Sequence, residues 1–116
     1  MEKVFIFGHK SPDTDTITSS IVMENLEKKM GNTGAKAYRL GKINKETEFI
    51  LNYFKVEAPE LLEKVEEKAN VILVDHNSFA QSVEGIEKAN ILKVIDHHII
   101  PYKVVCQFFK HRFFNI

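Results

Sequence analysis

Three short stretches hold most of the residues in this chain that could bind metal or move protons. They are Gly8-His9-Lys10-Ser11-Pro12-Asp13-Thr14-Asp15, Asp75-His76-Asn77 and Asp96-His97-His98. Together they contain four of the five histidines and four aspartates. Carboxylate oxygens mixed with neutral imidazoles suit Mn²⁺, Fe²⁺ or Zn²⁺ better than the all-oxygen sets preferred by Mg²⁺ and Ca²⁺. A carboxylate can also bridge two cations. Two metals roughly 3.5–4 Å apart can clamp the attacking and leaving oxygens of a phosphoryl transfer. The chemistry these residues suggest is therefore metal-assisted hydrolysis of a phosphate ester or anhydride.

Residues so far apart in sequence need a scaffold that brings them together, and the flanking segments supply one. Each cluster follows an apolar, β-rich run: Val4-Phe5-Ile6-Phe7, Val71-Ile72-Leu73-Val74 and Ile91 to Ile95. Such runs read as strands buried on both faces. Between them the pattern is helical. Ile17, Ile21, Val22, Leu26 and Met30 fall on one stripe of a helix from Thr16 to Met30, and Gly31-Asn32 stops it. Ala35 to Leu40 is a weaker strand. Phe49, Ile50, Tyr53 and Phe54 sit at helical spacing, as do Leu61, Leu62 and Val65 after Pro59, and Ser78 to Lys88 reads as helix or helical turn. Alternating strands and helices imply an α/β fold, a parallel sheet flanked by helices. Ligands of such sheets bind outside the carboxyl ends of the strands. All three clusters fall at that edge. The helix beginning near Thr16 would aim its N-terminal N–H groups at the same place, with hydroxyls from Thr16, Thr18 and Ser19 to help seat a phosphate.

Taken singly, these residues have plainer roles. Asp15 alone reads as a helix N-cap, and Asp75 as a turn residue closing a strand. His97-His98 could be one buried and one exposed imidazole. Met23, Phe49 and Phe54 read as core, His111 as having no specific role, and the run from Glu60 to Lys68 as a solvated helix face. The plain readings do not explain why so many candidate ligands gather at three strand ends.

Bulk properties narrow the class further. A length of 116 residues leaves room for one domain, and 44% hydrophobic with 28% charged residues is a globular composition. Sixteen basic residues balance sixteen acidic ones, so no net field favours nucleic acid or an anionic membrane. The single cysteine, Cys106, has no partner for an internal disulfide. Val4 to Phe7 is too short for a signal sequence, and no apolar run approaches a membrane span. The expected location is cytoplasmic.

The three motifs together resemble the DHH phosphoesterase superfamily. Within it the chain is similar to the manganese-dependent (family II) inorganic pyrophosphatases. His-Lys-x-Pro-Asp-Thr-Asp, here His9 to Asp15, is the specific element, since the DHH oligonucleotide phosphodiesterases usually carry Asp-Gly-Asp there. The resemblance implies a two-metal site in which His9 and Asp13 ligate one ion, Asp15 and His97 the other, and Asp75 bridges them. It implies that His98 contacts the substrate or gives a proton to the leaving group, and that Asp96 orients the histidines. The reaction would be hydrolysis of pyrophosphate with Mn²⁺ or Co²⁺, often with Mg²⁺ accompanying the substrate, by an enzyme that is commonly a homodimer.

The resemblance covers residues 1–98, the front part of a DHH-type catalytic domain. Residues 99–116, beginning Ile99-Ile100-Pro101-Tyr102, depart from the family pattern and read as an atypical tail. A further metal-ligand aspartate and a second domain with phosphate-gripping Lys and Arg have no counterpart in the sequence. The expectation is an incomplete DHH-type domain, truncated or frameshifted, with little turnover of its own. Three alternatives stand beside it. One is a DHH phosphodiesterase acting on short oligonucleotides, and another a metal-binding but inert module. The third is a receiver-like domain with Asp75 as phosphoacceptor, a scheme that gives His9 and His97-His98 no role.

Overall fold

A computed structural model of the chain describes residues 2–96. The chain runs β1 (Val4–Phe7), α1 (Thr14–Lys29), β2 (Ala35–Arg39), α2 (Lys45–Tyr53), β3 (Glu60–Leu61), β4 (Asn70–Val74) and β5 (Asn90–Ile95). The five strands form one sheet in the order β3-β2-β1-β4-β5, and every neighbouring pair is parallel. This is the expected α/β architecture. The chain leaves β1 towards β2 and β3, then returns to lay β4 on the other side of β1. The strand order thus reverses between β1 and β4, the kind of switch point at which parallel sheets open a crevice at their carboxyl ends.

The apolar runs are continuous because both sheet faces are covered. Val4, Ile6, Ile72 and Val74 point to one face, where they pack with Met23 of α1 and Ala35. Phe7, Val71 and Leu73 point to the other, against Val65, Val83, Ile86, Ala89 and Ile91. The alternation along each strand follows the two-residue period of the pleat. Register then sets the site: Phe7 lies beside Leu73, and Val74 beside Ile95. The residues that follow β1, β4 and β5 leave the sheet along one edge.

Several expectations need correction. Helix α1 starts at Thr14, capped by Asp13, so Asp15 is a first-turn residue and not the cap. The predicted stripe on α1 is also not the buried one. Ile17 is buried, but Val22 is 64% exposed and Leu26 and Met30 are exposed as well. The face against the sheet carries Thr16, Ile17, Ser20, Met23 and Glu27. Its polar members bring their own partners, which makes their burial tolerable. The Ser20 hydroxyl donates to the Thr16 carbonyl at 2.9 Å. Glu27 accepts from Lys93 Nζ and from Asn32 Nδ2, both at 2.6 Å.

The segment after Pro59 is not helical. Its amides bond sideways, Leu62 to the Arg39 carbonyl and Val65 to the Glu84 carbonyl, and Glu60–Leu61 adds a two-residue strand to β2. The charged run from Glu60 to Lys68 is consequently not a helix face. Helix α2 buries Thr47 and Leu51, whereas Phe49 and Phe54, read as core, are each 68% exposed. Ser78 to Lys88 folds as two 3₁₀ turns, Phe79–Gln81 and Ile86–Lys88. Gly85 divides them at φ 92°, close enough to the Val65 carbonyl that a Cβ would lie 2.3 Å from its oxygen. Among the described residues, no helix is long and apolar enough to cross a membrane.

Candidate metal centre

The loop after β1 delivers its first donor directly. His9 Nδ1–H donates to the Lys10 carbonyl at 2.6 Å. A carbonyl can only accept, so this bond fixes the proton on Nδ1 and leaves the Nε2 lone pair for a cation. Four residues on, Asp13 caps α1: its Oδ1 accepts from the Thr16 N–H at 2.9 Å. The cap holds Asp13 beside His9, with Oδ1 3.9 Å from Nε2. Two further contacts brace the loop. The Lys10 amide donates to the Gln81 carbonyl at 2.8 Å. The Thr14 hydroxyl meets Glu46 Oε1 at 2.5 Å and Thr47 Oγ1 at 3.0 Å, fastening the start of α1 to the start of α2.

The end of β4 delivers the second carboxylate. Asp75 turns the chain at φ 55°, a left-handed conformation that Asp tolerates better than most residues. Its amide donates to the Ile95 carbonyl at 2.9 Å. Its Oδ2 accepts from the Thr16 hydroxyl at 2.8 Å and lies 3.6 Å from His9 Nε2. His76 and Asn77 then turn inward. His76 Nδ1–H donates to the Val74 carbonyl, and Nε2 accepts from the Ser82 hydroxyl, both at 2.9 Å. Burial pushes the His76 imidazole below its ordinary pKa of 6.5, against the Val74 carbonyl, which favours the proton. His76 is therefore a neutral structural brace, with both nitrogens occupied inside the protein. Asn77 Nδ2 donates to Asp96 Oδ2 at 2.7 Å, tying the end of β4 to the residue after β5.

Of the residues singled out from sequence, the structure brings together His9, Asp13 and Asp75. One donor atom from each lies within 4.8 Å of the others. Metal–ligand bonds of about 2.0–2.2 Å, as at zinc sites, keep donors on one ion within about 4.4 Å of each other. The 3.6 and 3.9 Å separations from His9 Nε2 meet that limit. One imidazole and two carboxylates suit a Mn²⁺-type ion, so the donor set fits in chemistry and in both spacings from His9. A cleft of about 340 Å³ opens beside it, lined by His9, Lys10, Ser11, Asp75, Ala80 and Gln81.

Asp15 is exposed in the first turn of α1 and is not one of the three converging donors. Asp96 is half-buried and engaged by Asn77. His97, His98 and His111 lie outside the described residues. The hydroxyls expected to seat a phosphate are partly committed elsewhere: Thr16 to Asp75, and Thr18 to the Thr14 carbonyl at 2.8 Å. Sequence reading did not assign the bracing roles of His76 and Ser82. Adjacency of His76 to Asp75 was the available signal, and it could not distinguish a ligand from a support.

The sequence profile of the DHH family, N-terminal domain, matches residues 3–110, a span running past His98. A Staphylococcus carnosus protein named a probable manganese-dependent inorganic pyrophosphatase is 60% identical over 100 residues, covering 86% of this chain and 32% of that protein. A protein of the same name from Oceanobacillus iheyensis is 58% identical over 100 residues, with the same coverage. A crystal structure of a Methanococcus jannaschii protein named a "putative family II inorganic pyrophosphatase" superposes with a TM-score of 0.74 at 40% identity. It covers 84% of this chain and 30% of that one. The chain thus spans about a third of the length of the relatives it matches. On the match over residues 3–110, and with His9, Asp13 and Asp75 converging at the sheet's switch point, the chain belongs to the DHH family as its N-terminal domain.

Proposed function

We propose that this domain provides the manganese-binding part of a site that hydrolyses inorganic pyrophosphate to two phosphates. The observation carrying the reading is the convergence of His9, Asp13 and Asp75 at the carboxyl edge of the sheet, in a chain whose relatives bear the pyrophosphatase name. His9, Asp13 and Asp75 would hold one ion. Asp15 and His97 would complete a second centre that shares Asp75, and His98 would meet the substrate, with Asp96 orienting the histidines; these assignments rest on the motif resemblance. Bound manganese would supply Lewis-acid charge and a water of lowered pKa. The chain's own residues orient the donors: the Lys10 carbonyl sets the His9 tautomer, and the α1 cap fixes Asp13.

Co²⁺ is an alternative metal, with Mg²⁺ accompanying pyrophosphate. A cytoplasmic location and a homodimer belong to the same reading. So does the division into a catalytic front part over residues 1–98 and an atypical tail over 99–116. The 116-residue chain by itself is expected to turn over little. Phosphoryl transfer depends heavily on cationic stabilisation of the transferred group, and the chain spans about a third of the length of its relatives.

The competing substrate is a short oligonucleotide. Thr14 weighs against it by the motif, and its hydroxyl is engaged by Glu46 and Thr47. Phosphate release from pyrophosphate and from a dinucleotide, measured with Mn²⁺ on the purified chain, tests both parts. Preference for the dinucleotide would overturn the substrate, and brisk pyrophosphate turnover would overturn the low-activity expectation.

A further inference from the structure

Two carboxylates of the candidate centre come from distant parts of the chain, and one residue touches both. The Thr16 backbone N–H donates to Asp13 Oδ1 at 2.9 Å, and the Thr16 hydroxyl donates to Asp75 Oδ2 at 2.8 Å. We propose that Thr16 is a positioning residue that sets the separation of Asp13 and Asp75, turning Asp75 Oδ2 towards His9 so that a divalent cation can be held between them. The inference rests on the metal-site reading above and adds to it a residue that touches neither metal nor substrate.

Three observations support it. Thr16 is 1% exposed, so water cannot readily replace its hydroxyl at Asp75. The oxygen it engages is the one lying 3.6 Å from His9 Nε2. Finally, the approach of α1 to β1 is built for this contact. A Cβ on Gly8 would lie 2.1 Å from Thr16 Cγ2, so only glycine lets Thr16 sit where it does. Groups that orient metal ligands from behind commonly govern affinity by about 10- to 100-fold.

Two variants separate the hydroxyl from the rest of the side chain. Thr16→Val keeps the shape and the backbone N–H but removes the donor to Asp75. Thr16→Ser keeps the donor and removes the methyl group beside Gly8. Mn²⁺ binding to the full 116-residue chain, followed by electron paramagnetic resonance, is read together with thermal unfolding of the metal-free protein. The expected result is a Kd about tenfold or more weaker in Thr16→Val, with Thr16→Ser staying close to the parent chain. An unchanged Kd in folded Thr16→Val, even with a lowered Tm, overturns the inference by showing a purely structural role. Equal weakening in both variants also overturns it, because the methyl group would then be the active element. If the parent chain binds no Mn²⁺, the metal-site reading itself fails and takes this inference with it. The two failures are therefore distinguishable.

Discussion

The ends of β1 and β4 bring their carboxylates to the same place by opposite means. After β1 the chain makes a loop and a helix start, and the Asp13 side chain is 58% exposed. Backbone groups hold that end: a helix N–H on Asp13 and a carbonyl under His9. After β4 the chain turns inward. The Asp75 side chain is 14% exposed, and the side chains that follow, His76 and Asn77, are buried and hydrogen-bonded. The lesson is that one edge of a sheet can separate ligand from scaffold in different ways. At β1 the candidate ligands are themselves the local scaffold, while at β4 the scaffold is a neighbouring pair of buried polar side chains.

The largest expected effect breaks the shared point of contact. Asp75→Asn removes a charged donor but keeps a residue that tolerates the left-handed turn. Mn²⁺ affinity measured by calorimetry should fall more than about a hundredfold, beyond the range seen for residues behind the ligands. The folded state should persist by circular dichroism.

Next comes the buried support. His76→Ala leaves a cavity and strands the Ser82 hydroxyl, so urea unfolding should show a loss of about 2–4 kcal/mol. A pH dependence accompanies it. The folded chain holds His76 below 6.5, so the unfolded chain takes up the proton first. The contribution is fully present above that ordinary value and declines as pH falls below it, because stability rises with pH wherever the unfolded chain binds more protons. In His76→Gln this part of the pH dependence should flatten.

The β1 end should behave in the reverse way. Asp13→Ala should cost about 1 kcal/mol as a lost cap, whereas Asp13→Asn, an equally good cap, should leave stability nearly unchanged. Both should weaken Mn²⁺ binding. Equal destabilisation by the two would show that the cap does not hold this strand end. The smallest effect lies far from the site. Leu26→Lys, on the flank of α1 read from sequence as buried, should shift stability by less than about 0.5 kcal/mol. A large loss would restore the apolar stripe as a packing face.

That last case shows where sequence reading works and where it stops. The strong strands and the parallel sheet were legible because runs such as Val71 to Val74 must be covered on both faces. The face of α1 was not. Periodicity favours Val22, Leu26 and Met30, but Ser20 bonds its own helix and Glu27 meets Lys93 from a distant strand. A pattern that counts apolar residues cannot see a polar residue whose partner lies elsewhere. The segment after Pro59 misled for a related reason, since its amides find β2 and the Glu84 carbonyl in place of helical partners.

The sequence by itself determined the chemical inventory. Imidazoles and carboxylates follow three apolar strands, at spacings that parallel strands must bring to one edge. Only the tertiary structure decided which of them meet and what each one does. His9, Asp13 and Asp75 converge because β1 and β4 are neighbours at the point where the strand order reverses. His76, next to Asp75 in sequence, faces the interior because the left-handed turn at Asp75 sends successive side chains in different directions. Ligand chemistry is a property of residue type, but convergence is a property of strand order, and strand order depends on contacts between residues far apart in the chain.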